Sequence, residues 1–143
     1  MPRPAGGPPI GIQLARTAKT CTRAFDDAMA AAGGSQPVWL ILISLKTQST
    51  RNQRELAEAV GIQGATLTHH LNAMEAGGLV TRERDPANRR VHLVSMTAAG
   101  EQLFHRLRQV AVDFDQRLRT GLSEKDVATL GRLLGKLREN VTG

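Results

Sequence analysis

Gly61, Gly77-Gly78 and the run Asp85-Pro86-Ala87-Asn88 divide residues 52–96 so closely that only two small helices and a hairpin fit between them. Asn52-Gln53-Arg54-Glu55 reads as a capping box, Leu56, Ala57 and Val60 form one apolar face, and Gly61 supplies a stop. That predicts a first helix of about two and a half turns. After Ile62 a second helix is predicted over 64–76, burying Leu67, Leu71 and Met74 and closing at Gly77-Gly78. Gln63, just before it, is a poor N-cap because its side chain is too long to fold back on the first free amides. Residues 79–83 and 91–96, rich in β-branched side chains, flank the turn chemistry and predict a two-stranded hairpin.

Outside this segment the apolar residues take the spacing of longer helices. Leu14, Ala18, Cys21, Phe25 and Ala28 lie on one stripe through residues 10–32, which Gly33-Gly34 ends. Val38 to Leu45 is a continuous apolar run, and Pro37 at its start marks it as a short buried helix. Thr97 is placed to cap a long helix with the stripe Leu103, Leu107, Val110, Phe114 and Leu118, interrupted at Gly121. Ser123-Glu124-Lys125-Asp126 opens a last helix carrying Val127, Leu130, Leu134, Leu137 and Val141 at heptad-like spacing. Residues 1–9, MPRPAGGPP, have no periodicity and several breakers, so a disordered tail is expected there. The chain's 143 residues suit one domain over 10–143, mainly α with a small β-hairpin wing, an α+β class. Residues 36–97 form its winged lobe, and residues 10–34 and 98–143 its flanking helices.

Nineteen Lys and Arg against thirteen Asp and Glu leave a formal charge of +6, which favours a polyanionic partner. Cys21 is the only cysteine, so an internal disulfide or a zinc site built from several thiolates is excluded within one chain. A reducing, cytoplasmic setting is expected. No apolar run approaches the roughly 18 residues of a membrane span, and no membrane partner is expected. There is no phosphate-binding glycine loop, no metal-ligand spacing and no paired nucleophile and base, so neither catalysis nor a metal or cofactor is expected.

The order helix, short helix, tight turn, helix, hairpin is that of a helix-turn-helix with a wing. In such a module the second helix enters the major groove of duplex DNA, which a cylinder of that width fills. With Leu67, Leu71 and Met74 inward, Ala65, Thr66, Thr68, His69 and Asn72 face outward, small or hydrogen-bonding residues without a bulky charge. Gln63 and Gly64 sit at the helix start, where free amides of Gly64 and Ala65 can meet a phosphate. Reading of bases falls to Thr66, Thr68 and His69, while His70 is expected at the core edge beside Leu67 and Met74. Arg82, Arg84, Arg89 and Arg90 stand on the hairpin against only Glu83 and Asp85, where a wing touches the DNA backbone or a narrow minor groove. The competing reading is a winged helix that binds another protein and has lost DNA binding; that reading requires an apolar or acidic second helix.

The stretch from Glu55 to Gly100, ELAEAVGIQGATLTHHLNAMEAGGLVTRERDPANRRVHLVSMTAAG, resembles the MarR (multiple antibiotic resistance regulator) family in order and spacing. The family's wing signature is an acidic residue, any residue, arginine, five positions, then Leu-Thr. Here the same frame reads Asn88-Arg89-Arg90 and Met96-Thr97, so Arg90 and Thr97 match while Asn88 and Met96 depart. Loss of the acid at position 88 puts the orientation of Arg90 in doubt, unless Asp85 or the turn backbone substitutes.

The resemblance implies a homodimer whose N- and C-terminal helices, residues 10–34 and 98–143, interlock. It also implies a pseudo-palindromic operator, with half-sites one turn of DNA apart, roughly 34 Å. The apolar stripes of the first and last helices exceed what a small winged lobe can cover, which supports a symmetric partner. By the same resemblance, the protein represses transcription until a small anionic or aromatic effector binds between lobe and dimer region. Trp39 is the candidate lining residue, with a plain core role as its alternative. A redox-responsive regulator of the organic hydroperoxide subgroup pairs a reactive cysteine with tyrosines; this chain has no tyrosine, and Cys21 reads as a packed hydrophobe. A metal-responsive regulator could draw on His105 with Cys21, or on His69, His70 and His92, but none sits in a recognised ligand spacing, and adjacent His69 and His70 diverge by about 100° on a helix.

Overall fold

The computed structural model describes residues 6–48 and 50–143. The order is α1 (Ile10–Ala31), α2 (Gln36–Thr47), β1 (Thr50–Asn52), α3 (Gln53–Val60), α4 (Gly64–Ala76), β2 (Val80–Arg84), β3 (His92–Met96), α5 (Ala98–Leu118) and α6 (Glu124–Thr142). Of the tail expected over residues 1–9, residues 1–5 lie outside the described residues, and residues 6–9 form a turn and bend before α1. Ser35 accepts the Val38 amide at 3.2 Å to start α2, with Pro37 just inside it, where its missing N–H costs nothing. Asn52 accepts the Glu55 amide at 2.8 Å to start α3. The second half of the expected capping box takes another form, since the Asn52 amide group donates to the Glu55 carboxylate at 2.6 Å instead.

The hairpin is part of a three-stranded antiparallel sheet in the order β1-β3-β2. β2 and β3 pair from Val80 with Met96 to Arg84 with His92, and β1 adds Thr50, Arg51 and Asn52 against Ser95, Val94 and Leu93. The third strand was not expected. Three residues ending at a helix cap are too few for any alternation to show.

The chain divides into two units, Met1–Ala111 and Val112–Gly143. The first holds the buried core: Met29 from α1; Ile41, Leu42 and Leu45 from α2; Leu56 from α3; Leu67, Leu71 and Met74 from α4; Val80 and Val94 from the sheet; and Leu103, Phe104 and Leu107 from α5. The first half of α5 thus contributes to this core through Leu103, Phe104 and Leu107. In the second unit, Gly121 takes φ 80, a conformation that costs glycine nothing, and Ser123 and Asp126 close a reciprocal capping box at 3.0 and 2.9 Å. α6 has no buried residue, and Leu130, Leu133, Leu134 and Val141 are exposed on it.

Candidate nucleic-acid interface

α3 and α4 are joined by a turn that follows from Gly61, whose φ of 78 lets its amide and that of Ile62 both bond the Ala57 carbonyl, at 2.9 and 3.2 Å. Leu56, Leu67 and Leu71 are fully buried, so α4 is fixed about its long axis by its inner face. Between α3 and α4 lies an open groove of about 550 Å³, bordered by Arg54, Glu58, Gln63, Gly64 and Thr68.

Gln63 makes no side-chain cap, and the first helical bond of α4 is Leu67 N–H to the Gln63 carbonyl at 3.0 Å. The amides of Gly64, Ala65 and Thr66 thus have no acceptor within the helix, as the absence of a short capping side chain predicts. Ala65, Thr66 and His69 are exposed on the outer face, and His70 is half-buried with its ring 5.8 Å from that of His69. Thr68 is set differently from Thr66. It is half-buried, its hydroxyl donates to the Gly64 carbonyl at 3.0 Å, and it accepts from the Gln53 amide at 3.4 Å.

The wing tip is braced by its own polar groups. Asp85 accepts the Ala87 amide at 2.9 Å, and Asn88 accepts the Arg90 amide at 3.2 Å. Asn88 stands where the family signature has an acid, and its neutral oxygen holds the Arg90 backbone without neutralising the guanidinium. Arg84 donates to the Arg89 carbonyl at 3.1 Å across the turn. Arg84, Arg89 and Arg90 are all exposed.

Arg82 is placed apart from these three. Its side chain is 16% exposed and donates to Asn72 Oδ1 at 2.6 Å and to Glu75 Oε1 at 3.0 Å, while its backbone N–H donates to Glu75 Oε2 at 3.2 Å. The hydrogen bond from Arg82 holds the Glu75 carboxyl below the usual carboxylate range. Asn72, expected among the outward residues, is exposed but engaged. Spacing along the chain could not show this network, because its members come from two elements.

Trp39 is half-buried and stacked on Phe104, with ring centres 5.6 Å apart and planes 16° from parallel. The Lys46 ammonium lies 5.7 Å from the centre of the Phe104 ring and pairs with Glu101, whose carboxyl it holds below the usual range. Phe104 was not among the expected apolar positions of α5. Adjacent Leu103 and Phe104 widen the stripe, and that doubled position was its available signal. Cys21 is half-buried in α1.

Residues 35–92 match the model of the MarR family. Among solved structures, the chain is similar to CouR, a transcriptional repressor bound to a 23-mer DNA duplex, at 26% identity and a TM-score of 0.81 over 91% of this chain and 92% of that one. It is also similar to a mutant MarR from E. coli complexed with operator DNA, at 24% identity and a TM-score of 0.79 over 90% and 93%. A third, BpsR of Bordetella bronchiseptica, whose DNA binding is regulated by 6-hydroxynicotinic acid, is 23% identical with a TM-score of 0.77 over 90% and 98%. The helix-turn-helix and most of the hairpin, residues 35–92, thus match the MarR family, and the chain as a whole has the winged-helix fold of these solved structures.

Proposed function

We propose that this protein is a transcriptional regulator that binds a pseudo-palindromic operator in duplex DNA as a homodimer and represses until a small effector releases it. The observation that carries the reading is the uncapped start of α4 beside a hairpin tipped with exposed Arg84, Arg89 and Arg90. Gly64 and Ala65 meet a phosphate through free amides with Gln63 beside them at the helix start, Thr66 and His69 reach base edges, and Thr68 lies at the margin of that face. The three wing arginines grip the backbone. The exposed apolar residues of α1 and α6, including Ile10, Leu14, Leu130 and Leu134, support a second copy as their cover. A DNA partner and a single cysteine support action in the cytoplasm. Among the described residues no single helix is long and apolar enough to cross a membrane.

Affinity for a duplex selected by the protein should fall steeply with salt, with a log–log slope of magnitude several units, because each neutralised phosphate releases counterions. Fluorescence anisotropy over a salt series measures this. A slope near zero, or equal affinity for selected and scrambled duplexes, would overturn specific DNA binding.

The effector belongs to the class of aromatic acids and docks beside Trp39, on the flank that Phe104 leaves open. Regulation of BpsR by an aromatic acid and the half-exposure of Trp39 support this. Trp39 is the only tryptophan, so an aromatic acid that releases DNA should change protein emission over the same concentration range. Release with unchanged emission would remove Trp39 from the effector site.

A further inference from the structure

We propose that Arg82 is a positioning residue of the DNA-binding face: by bridging Asn72 and Glu75 it fixes α4 on the root of the wing and withholds Asn72 from base reading. The assignment rests on the reading above, in which the outer face of α4 meets DNA.

Register puts Arg82 on the lobe side of β2, which it shares with Arg84, and only Arg82 lies near enough to the buried end of the strand to be covered. In β2 it lies two residues from Val80, and alternation places both on the same side of the sheet. Val80 is 1% exposed, so that side faces the lobe. Its partner across the ladder is Val94, which is fully buried. A residue held there cannot swing out to a phosphate without leaving the sheet.

What it meets is one face of α4. Asn72 and Glu75 are three residues apart and therefore neighbours on the helix surface. The guanidinium spans both, at 2.6 and 3.0 Å, and the Arg82 backbone N–H secures the second Glu75 oxygen at 3.2 Å. Three hydrogen bonds thus tie one turn of α4 to one strand residue. Both side-chain bonds leave one nitrogen, Nη2, at the far end of a guanidinium that reaches one bond further than a lysine ammonium.

Two consequences bear on recognition. The charge of Arg82 is already matched by Glu75, so it displaces no counterion from DNA, unlike Arg89 and Arg90. Bidentate recognition of adenine by asparagine needs both the amide oxygen as acceptor and the amide nitrogen as donor. With one lone pair of its oxygen and the orientation of its amide held by Arg82, Asn72 is not free to turn both groups onto an adenine edge, and specificity is left to Thr66 and His69.

The test compares wild type with Arg82→Ala, Arg82→Lys, Glu75→Gln and the Arg82→Ala/Glu75→Gln pair. The ligands are a duplex selected from a random pool by the wild-type protein and a scrambled duplex, each over a salt series. Each single substitution should lower the ratio of selected to scrambled affinity about tenfold, within the range of one mismatched base pair. The pair should do no worse than either member, and the salt slope on the scrambled duplex should stay at the wild-type value. Circular dichroism confirms folding, and Glu75→Gln, which keeps the shape of the side chain, serves if Arg82→Ala is unfolded.

NMR titration gives a readout independent of DNA. Glu75 should titrate below the usual carboxylate range in wild type and return to it in Arg82→Lys. An ordinary Glu75 in wild type would overturn the bridge. A slope reduced by about one in Arg82→Ala, with Arg82→Lys and Glu75→Gln unaffected, would make Arg82 a phosphate contact. A wild-type protein that selects no duplex ends the DNA-binding reading and this assignment with it; a selective wild type with an unaltered Glu75→Gln ends this assignment alone.

Discussion

Replacing Gly100 with alanine should destabilise the protein by about 3 kcal/mol, at the upper end of what added volume costs in a packed interior. Gly100 is buried in the first turn of α5, and a Cβ there would lie 2.1 Å from the Leu79 carbonyl oxygen and 2.8 Å from Met96 Cγ. Met96 can shift its flexible side chain, but the carbonyl cannot retreat. It already accepts the Thr97 amide at 3.0 Å, and the Thr97 hydroxyl, while accepting the Gly100 amide at 3.1 Å, donates to Gly78 at 2.6 Å. The strand start and the helix start are therefore bound to each other around the missing side chain. Denaturant unfolding of the purified variant measures the loss through its midpoint. A midpoint within error of wild type would mean that β2 and α5 do not approach so closely in solution.

Replacing Arg89 and Arg90 together by alanine should weaken binding to the selected duplex about a hundredfold at moderate salt. It should also lower the magnitude of the salt slope by about two for each wing engaged. Both side chains are exposed, and the bonds their residues make inside the turn use backbone atoms: the Arg89 carbonyl accepts from Arg84 and the Arg90 amide donates to Asn88. Alanine keeps those atoms, so folding should be unchanged while the charge is lost. Anisotropy over a salt series separates the outcomes. An unaltered slope would take the wing off the DNA backbone, whatever happened to affinity.

The helix-turn-helix was legible because its boundaries are set by residues with strong local preferences. Asn52, Gly61 and Gly77-Gly78 delimit α3 and α4, and α4 runs over Gly64–Ala76 as the spacing predicts. β1 was not legible, since a three-residue strand carries no pattern and owes its existence to pairing with distant β3. Met29 is buried although it lay off the expected stripe, because it faces neighbours that local spacing does not reveal, whereas the burial of Phe104 was signalled only by its place beside Leu103.

The wing arginines divide for the same reason. Composition counted four equivalent cations, and a period of two leaves Arg82 and Arg84 on one side of β2; only the contacts of Arg82 with Asn72 and Glu75 set it apart. Asn88 shows the converse. Its departure from the family's acid was visible in the sequence, but its bond to the Arg90 amide depends on the turn's folded shape.

The Thr97 hydroxyl makes one atom answerable to two helices, accepting a hydrogen bond from an amide in the first turn of α5 and donating one to the carbonyl just past the last turn of α4. A displacement at the beginning of α5 therefore bears directly on the trailing end of α4. The joint is too short to absorb it, so communication between those helices needs no chain of intermediaries.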